Sequence, residues 1–420
     1  MTSTDRPAAA VATRRFYPQL EGMRALAALG VLTTHVSFQT GAVNLAVLGP
    51  VLGRLDLAVA VFFALSGFLL WRAWVDRAYT DGGHPPIRRY LRHRVVRIWP
   101  AYVVVVTLVL LLLPAAQGAD TTVWLANLTL TQVFVPLSLT AGLTQMWSLS
   151  VEVAFYLLLP FLGLALRNLS GRRARWRVPA LLVLGAVSLT WAWAVHALPI
   201  ADGVEPKNWV FGHLPWFLAG LLLAELAGAV DVGRTGRWSR HAVAVSARRR
   251  VMFVAFVAAY ALACTPLAGP TGLGALTELE FATKMVLGAV CGYALLAPLV
   301  VGDPPFRFLC SPVMLALGRW SYGIFIWHLA VLEMVFPLFG IIPFSGDALL
   351  VWMITVVLTI GVSAASYAFL EEPARRWLRA REDARTRSSS VTSASVPEAG
   401  AEREKTTSQM VSSTDTSAGA

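Results

Sequence analysis

Residues 348–370 read ALLVWMITVVLTIGVSAASYAFL, a long apolar run without a charged side chain. At about 1.5 Å of rise per helical residue, it outspans the roughly 30 Å of a bilayer's hydrocarbon core. Nine other stretches are predominantly apolar and are read as long enough to span as well: 20–38, 55–74, 98–116, 143–166, 178–198, 209–228, 251–267, 281–301 and 313–338. Lipid offers a bare backbone amide no partner, so each is expected to be a helix. Residues 124–137 are also apolar but shorter, and are expected to form an interfacial or re-entrant piece.

Composition agrees. Hydrophobic residues make up 56% of the 420 positions and charged ones only 14%, against about one quarter in soluble domains. That excludes a disordered chain and argues against a soluble enzyme. The formal charge of +11 would suggest nucleic acid in a soluble protein. Here its distribution points to a membrane instead. Arginines crowd four connections (Arg77 to Arg97, Arg167 to Arg177, Arg234 to Arg250, and Arg375 onward), while the alternate connections carry only Arg54 and Lys207. The positive-inside rule then puts both termini in the cytoplasm and makes the number of crossings even. The expected fold is all-α: a polytopic membrane helix bundle of about ten transmembrane helices in the cell membrane.

Three divisions follow: a polar N-terminal segment 1–19 with no cleaved signal peptide, a membrane domain 20–377, and a Ser/Thr-rich tail 378–420 expected to be disordered. The three cysteines (Cys264, Cys291, Cys310) lie in or beside apolar runs and read as buried thiols. The seven histidines show no i, i+4 pair and no cysteine at ligand spacing, so no metal site is expected. Phosphate-loop, dinucleotide and nucleophile-elbow motifs are missing too. Ser66 and Gly67 read as small residues that let helices approach closely.

Ionisable side chains inside spans are costly and are functional candidates by default. Arg24 and His35 are eleven residues apart, about 16 Å along a helix and within about 20° of one face. Arg94 and Arg97 stand one over the other, and two guanidinium forks so placed suit a phosphate. Glu152 is a lone carboxylate that should be paired with an arginine or protonated. Ser321 and His328, seven apart, share a face, with His328 near mid-membrane.

Together these segments resemble the acyltransferase 3 family of integral-membrane acyltransferases. The resemblance rests on 17–27 (YPQLEGMRALA) with His35, on 62–69 (FFALSGFL), and on Arg94-Val95-Val96-Arg97 followed by Trp99-Pro100-Ala101-Tyr102. It continues through Trp147-Ser148-Leu149-Ser150-Val151-Glu152 with Phe155-Tyr156, through 321–328 (SYGIFIWH), and through 367–376 (YAFLEEPARR). Two positions depart from the family pattern: Val153, where a second acidic residue is common, and Leu329, where Trp often follows the His.

The resemblance implies an O-acyltransferase that moves an acetyl or other short acyl group from acyl-CoA. The acceptor would be a hydroxyl on a cell-envelope carbohydrate, a glycolipid or a secreted metabolite. Acyl-CoA is then a co-substrate, and no cofactor is held permanently. Arg94 and Arg97 would hold the CoA phosphates, with Arg24 lining the route. His35 would be the general base or would orient the thioester carbonyl. Glu152 and His328 are further catalytic candidates, and Trp147, Ser150 and Ser321 would line the acceptor site. Some family members carry a soluble esterase-like domain after the last span; this chain, ending in a polar tail, is expected to work alone or with a separate protein. A glycolipid or sugar transporter without acyl-transfer chemistry is the competing expectation, although no paired internal repeat is visible.

Overall fold

A computed structural model describes residues 16–80, 83–233, 235–272 and 274–394. Most of the N-terminal segment and the end of the tail (1–15 and 395–420) lie outside the described residues. A helix forms at each of the ten apolar stretches. They are α1 (Pro18–Gln39), α2 (Ala58–Thr80), α3 (Ile87–Leu112), α4 (Trp147–Ala165), α5 (Arg177–Leu189), α6 (Val210–Asp231), α7 (Arg249–Ala263), α8 (Glu278–Val301), α9 (Pro312–Phe339) and α10 (Ala348–Ser366). No strand occurs among the described residues.

The helix ends are written locally. Pro18 opens α1, where its missing N–H costs nothing. The Ser311 hydroxyl accepts from the Met314 amide at the start of α9, and Gly340 closes that helix at φ 64°. Thr277 and Glu280 make a reciprocal capping box on α8. The 124–137 piece yields only the eight-residue helix Thr121–Leu128, too short to cross. The arginine-rich entry to the third span is helical rather than a loop, so Arg94 and Arg97 sit two to three turns inside α3.

Eight helical segments are long and apolar enough to cross a membrane. The two expected spans that fall short are α1, whose apolar run is interrupted by Glu21, Arg24 and His35, and α7, with 15 residues. Helix α1 is largely covered by protein, with twelve buried positions including Leu20, Ala28 and Leu32. A helix screened from lipid does not need a lipid-facing composition. Chain direction supports both as crossings. On α1 and α9 the facing pairs rise together: Glu21 with Gly318, His35 with His328, Gln39 with Glu333. The two helices are therefore parallel. Seven helices separate them in the chain, so the path between them reverses eight times, and an even number of reversals is what returns α9 to the direction of α1.

The main core lies where α2 packs on α6. Phe217 stacks on Phe63 at 4.2 Å and on Phe155 at 3.9 Å between ring centroids. Gly67 and Gly220 let the two backbones approach: a Cβ on Gly67 would run into the Phe217 carbonyl, and one on Gly220 into the Ala64 carbonyl and the Phe68 amide. Neither backbone can step aside. Gly220→Val should lose about 1–3 kcal/mol or more, read as a lowered thermal midpoint in detergent. An unchanged midpoint would mean that this contact is not made. A second cluster joins α1, α9 and α10 through Leu32, Ile324, Leu332 and Val351.

The chain divides into two compact units after Glu371. The second begins with the helix Glu372–Ala394, which enters the segment expected to be disordered from 378. Its first turns are rich in Ala and Arg and carry an Arg376–Glu372 pair at i, i+4 spacing, 2.9 Å long, which favours a local helix.

Candidate active site

A cavity of about 620 Å³, counted with its open mouth, lies inside the first unit. Helix α1 gives it Arg24; α2 gives Val59, Phe62, Phe63 and Ser66; α3 gives Arg97 and Ile98. Helix α4 adds Ser148, Leu149, Glu152 and Tyr156, and α9 adds Ser321, Tyr322 and Phe325. Four of the residues singled out in the sequence therefore meet here: Arg24, Arg97, Glu152 and Ser321.

Their partners differ from expectation. Glu152 is not directly paired with an arginine. Its Oε1 accepts hydrogen bonds from the Ser66 hydroxyl and, at 2.6 Å, from the Tyr156 hydroxyl. Tyr156 is one turn along α4, so it reaches Glu152 without reorganising the backbone. Ser66, read from sequence as a packing residue, thus also serves as a donor. The Arg24 guanidinium donates to Glu21 at 2.9 Å. Arg97 makes no hydrogen bond or short ion pair among the described residues, though Glu152, Glu21 and Glu371 lie within electrostatic reach. Among the described residues it is the lining cation without a hydrogen-bonded partner. Arg94 does not line the cavity; its guanidinium sits 5.7 Å over the Tyr156 ring.

Ser150 and Trp147 lie outside the lining. The Ser150 hydroxyl donates back to the Met146 carbonyl at 3.3 Å, and Trp147 packs on His213 with ring centroids 5.1 Å apart. Helical phase explains this. Ser148 is four residues before Glu152 and shares its face, whereas Ser150 is about 200° around from Ser148. That spacing was available in the sequence and would have selected Ser148. His213 carried no such signal, since the rings that surround it (Phe63, Trp147, Trp216, Phe281) come from four segments.

His35 and His328 meet each other rather than the cavity lining. His328 is fully buried. Its Nδ1 lies 3.1 Å from the Ile324 carbonyl and 2.8 Å from that of Phe325. Carbonyls only accept, so Nδ1 carries the proton and Nε2 holds a lone pair. That Nε2 is 3.3 Å from His35 Nδ1, which also sits 2.8 Å from the Val31 carbonyl. Both neighbours of His35 Nδ1 are acceptors, so it too is protonated. His35 Nε2 is left as an unprotonated lone pair with no hydrogen bond among the described residues. This is the tautomer a general base needs. The Phe325 ring, 6.0 Å from that of His328 and 6.1 Å from that of Phe62, walls the histidines off from the cavity.

No group of His, Cys, Asp and Glu suited to a metal ion occurs among the described residues.

The profile of the acyltransferase domain family matches residues 17–369. The chain belongs to that family. It is therefore an acyltransferase, carried by an all-helical body that crosses the membrane many times, and the transporter expectation is set aside. Acyltransferase MdmB of Streptomyces mycarofaciens is 27% identical over 77% of this chain and 81% of its own length. Peptidoglycan O-acetyltransferase OatA of Listeria monocytogenes is 23% identical over 87% of this chain and 56% of its own. O-acetyltransferase OatA of Staphylococcus aureus is 22% identical over 86% and 58%. The chain thus spans little more than half the length of the two OatA proteins. No solved structure matches it.

Proposed function

We propose that this acyltransferase moves an acetyl or other short acyl group from acyl-CoA to a hydroxyl on a cell-envelope carbohydrate, a glycolipid or a secreted metabolite. The observation that carries the reading is the unpaired Arg97 guanidinium lining a cavity, whose Phe325 wall lies against the His328 ring that pairs with His35. Two of its relatives, the OatA proteins, are named as O-acetyltransferases, which supports a hydroxyl acceptor.

Arg97, with Arg24 behind it, would hold the phosphates of the donor, since guanidinium forks match phosphate oxygens. The pantetheine arm would run along the cavity past Ser66 and Tyr322, and the thioester would reach His35 by displacing the Phe325 ring. His35 Nε2 would take the proton of the acceptor hydroxyl as its oxygen attacks the thioester carbonyl. The resulting imidazolium keeps its Nδ1 proton on the Val31 carbonyl, with the His328 Nε2 lone pair facing it. Collapse of the tetrahedral intermediate breaks the C–S bond. The CoA thiolate then receives the proton from His35, so the histidine ends neutral and no other reactant is consumed.

Phosphate holding is tested with Arg97→Ala. Loss of a charge-assisted contact worth about 1.5–3 kcal/mol should raise KM for acetyl-CoA about 10- to 100-fold. The KM for acetyl-pantetheine, which lacks the nucleotide phosphates, should not change. An equal rise for both donors would mean that Arg97 does not read phosphate.

A further inference from the structure

At the end of the molecule away from the arginine-rich connections, an ion pair stands that the mechanism above does not use. Lys284 of α8 donates to Asp56 Oδ2 at 2.6 Å. Neither residue is fully buried: 17% of the Lys284 side chain and 30% of that of Asp56 are exposed. Their hydrogen-bonding capacity is largely unspent. Among the described residues Asp56 Oδ1 is itself buried and has no partner, and the Lys284 ammonium, with three donors, makes this one contact.

Three observations tie the pair to the active site. Asp56, Val59, Phe63 and Ser66 recur at intervals of three, four and three, which is one face of a continuous helical path. The last three of them line the cavity, so Asp56 extends that stripe to its outer end. The Thr34 hydroxyl donates to the Gly53 carbonyl at 2.9 Å, which clamps the His35 turn of α1 beside the turn bearing Asp56. The Asp56 carboxylate also lies within electrostatic reach of His35. One unpartnered acceptor beside free donors is the complement of adjacent hydroxyls on a sugar ring.

We propose that Asp56 and Lys284 form the acceptor subsite, gripping two neighbouring hydroxyls of a carbohydrate so that a third faces His35 Nε2. The carboxylate accepts from one hydroxyl and the ammonium donates to the other. Both are positioning residues. The proposal deepens the acyl-transfer reading and rests on it.

The test uses the full chain in nanodiscs with radiolabelled acetyl-CoA, and as acceptor an extract of envelope glycans and glycolipids from the host. Wild type is compared with Asp56→Asn, Lys284→Met and the charge swap Asp56→Lys/Lys284→Asp. Each single change should raise the half-saturating acceptor concentration about tenfold or more. Acetyl-CoA KM should stay at its wild-type value. The swap should restore the thermal midpoint but not acceptor use, which a purely structural pair would not do. Recovery of transfer by the swap, or wild-type acceptor affinity in Asp56→Asn, overturns the subsite. If wild type moves no label from acetyl-CoA into the extract, the acyl-CoA reading falls first and the subsite falls with it.

Discussion

His35→Ala should abolish the ester product while leaving the protein in the membrane. A positioned general base contributes about 10²- to 10⁴-fold, and the alanine removes it without leaving a buried charge. His35 is only half-buried, and its one side-chain partner, His328, keeps both backbone acceptors. Stability should therefore fall little. The measurement is mass spectrometry of surface glycans, lipids and secreted metabolites from cells with matched membrane levels of the two proteins. An ester-sized mass increment should be present with wild type and missing with the variant, and its mass names the acyl group. Equal increments would remove His35 from the chemistry. Loss of a whole glycolipid, rather than of one acyl group from it, would point to translocation. His328→Ala should give a smaller loss, since it removes a lone pair from His35 Nδ1 and leaves the Val31 carbonyl in place.

The second large effect concerns stability. Arg177 at the start of α5 donates from Nε to Glu225 Oε1 of α6 at 2.8 Å, with both side chains 2% exposed. The Trp71 indole of α2 donates to the same oxygen at 2.7 Å, and the Arg177 guanidinium lies 5.3 Å over the Trp71 ring. Three helices are joined at this point. Glu225→Ala leaves the guanidinium without its counter-charge and the indole without its acceptor. Breaking a buried pair from one side costs about 3–5 kcal/mol, a large share of the roughly 5–15 kcal/mol that holds a typical protein folded. The variant should fail to accumulate, or should melt far below wild type in detergent. The double change Arg177→Met/Glu225→Leu removes both charges together and should recover most of the midpoint. A single variant as stable as wild type would show that the pair does not hold these helices.

Neither partner of that pair was visible as such beforehand. Arg177 reads as one more arginine of a basic connection, and nothing in the apolar run around Glu225 names a partner for it. Their meeting requires α5 to lie on α6, which no local pattern encodes. Glu152 teaches the same lesson in reverse. Its cost in a membrane is legible, and an arginine is the obvious partner, but hydroxyls from Ser66 and Tyr156 occupy its Oε1. Whether a carboxylate finds a cation or a hydroxyl depends on which helix face arrives, and hydropathy is silent on that.

By itself the sequence determined what depends on neighbours along the chain. Apolar length set the helices, alternating arginines indicated their direction, and helical phase put Arg24 with His35, Arg94 with Arg97, and Ser321 with His328. The ordered motifs were enough to indicate the family. Only the tertiary structure decided which of these faces meet. It joined His35 to His328 across 293 residues, drew Arg97 to the cavity and left Arg94 beside it, took Ser148 in place of Ser150, and set Lys284 against Asp56. The physical reason is that periodicity fixes where a side chain points on its own helix. Its partner is fixed by how closely glycine-bearing backbones can pack, and that is a property of pairs of helices.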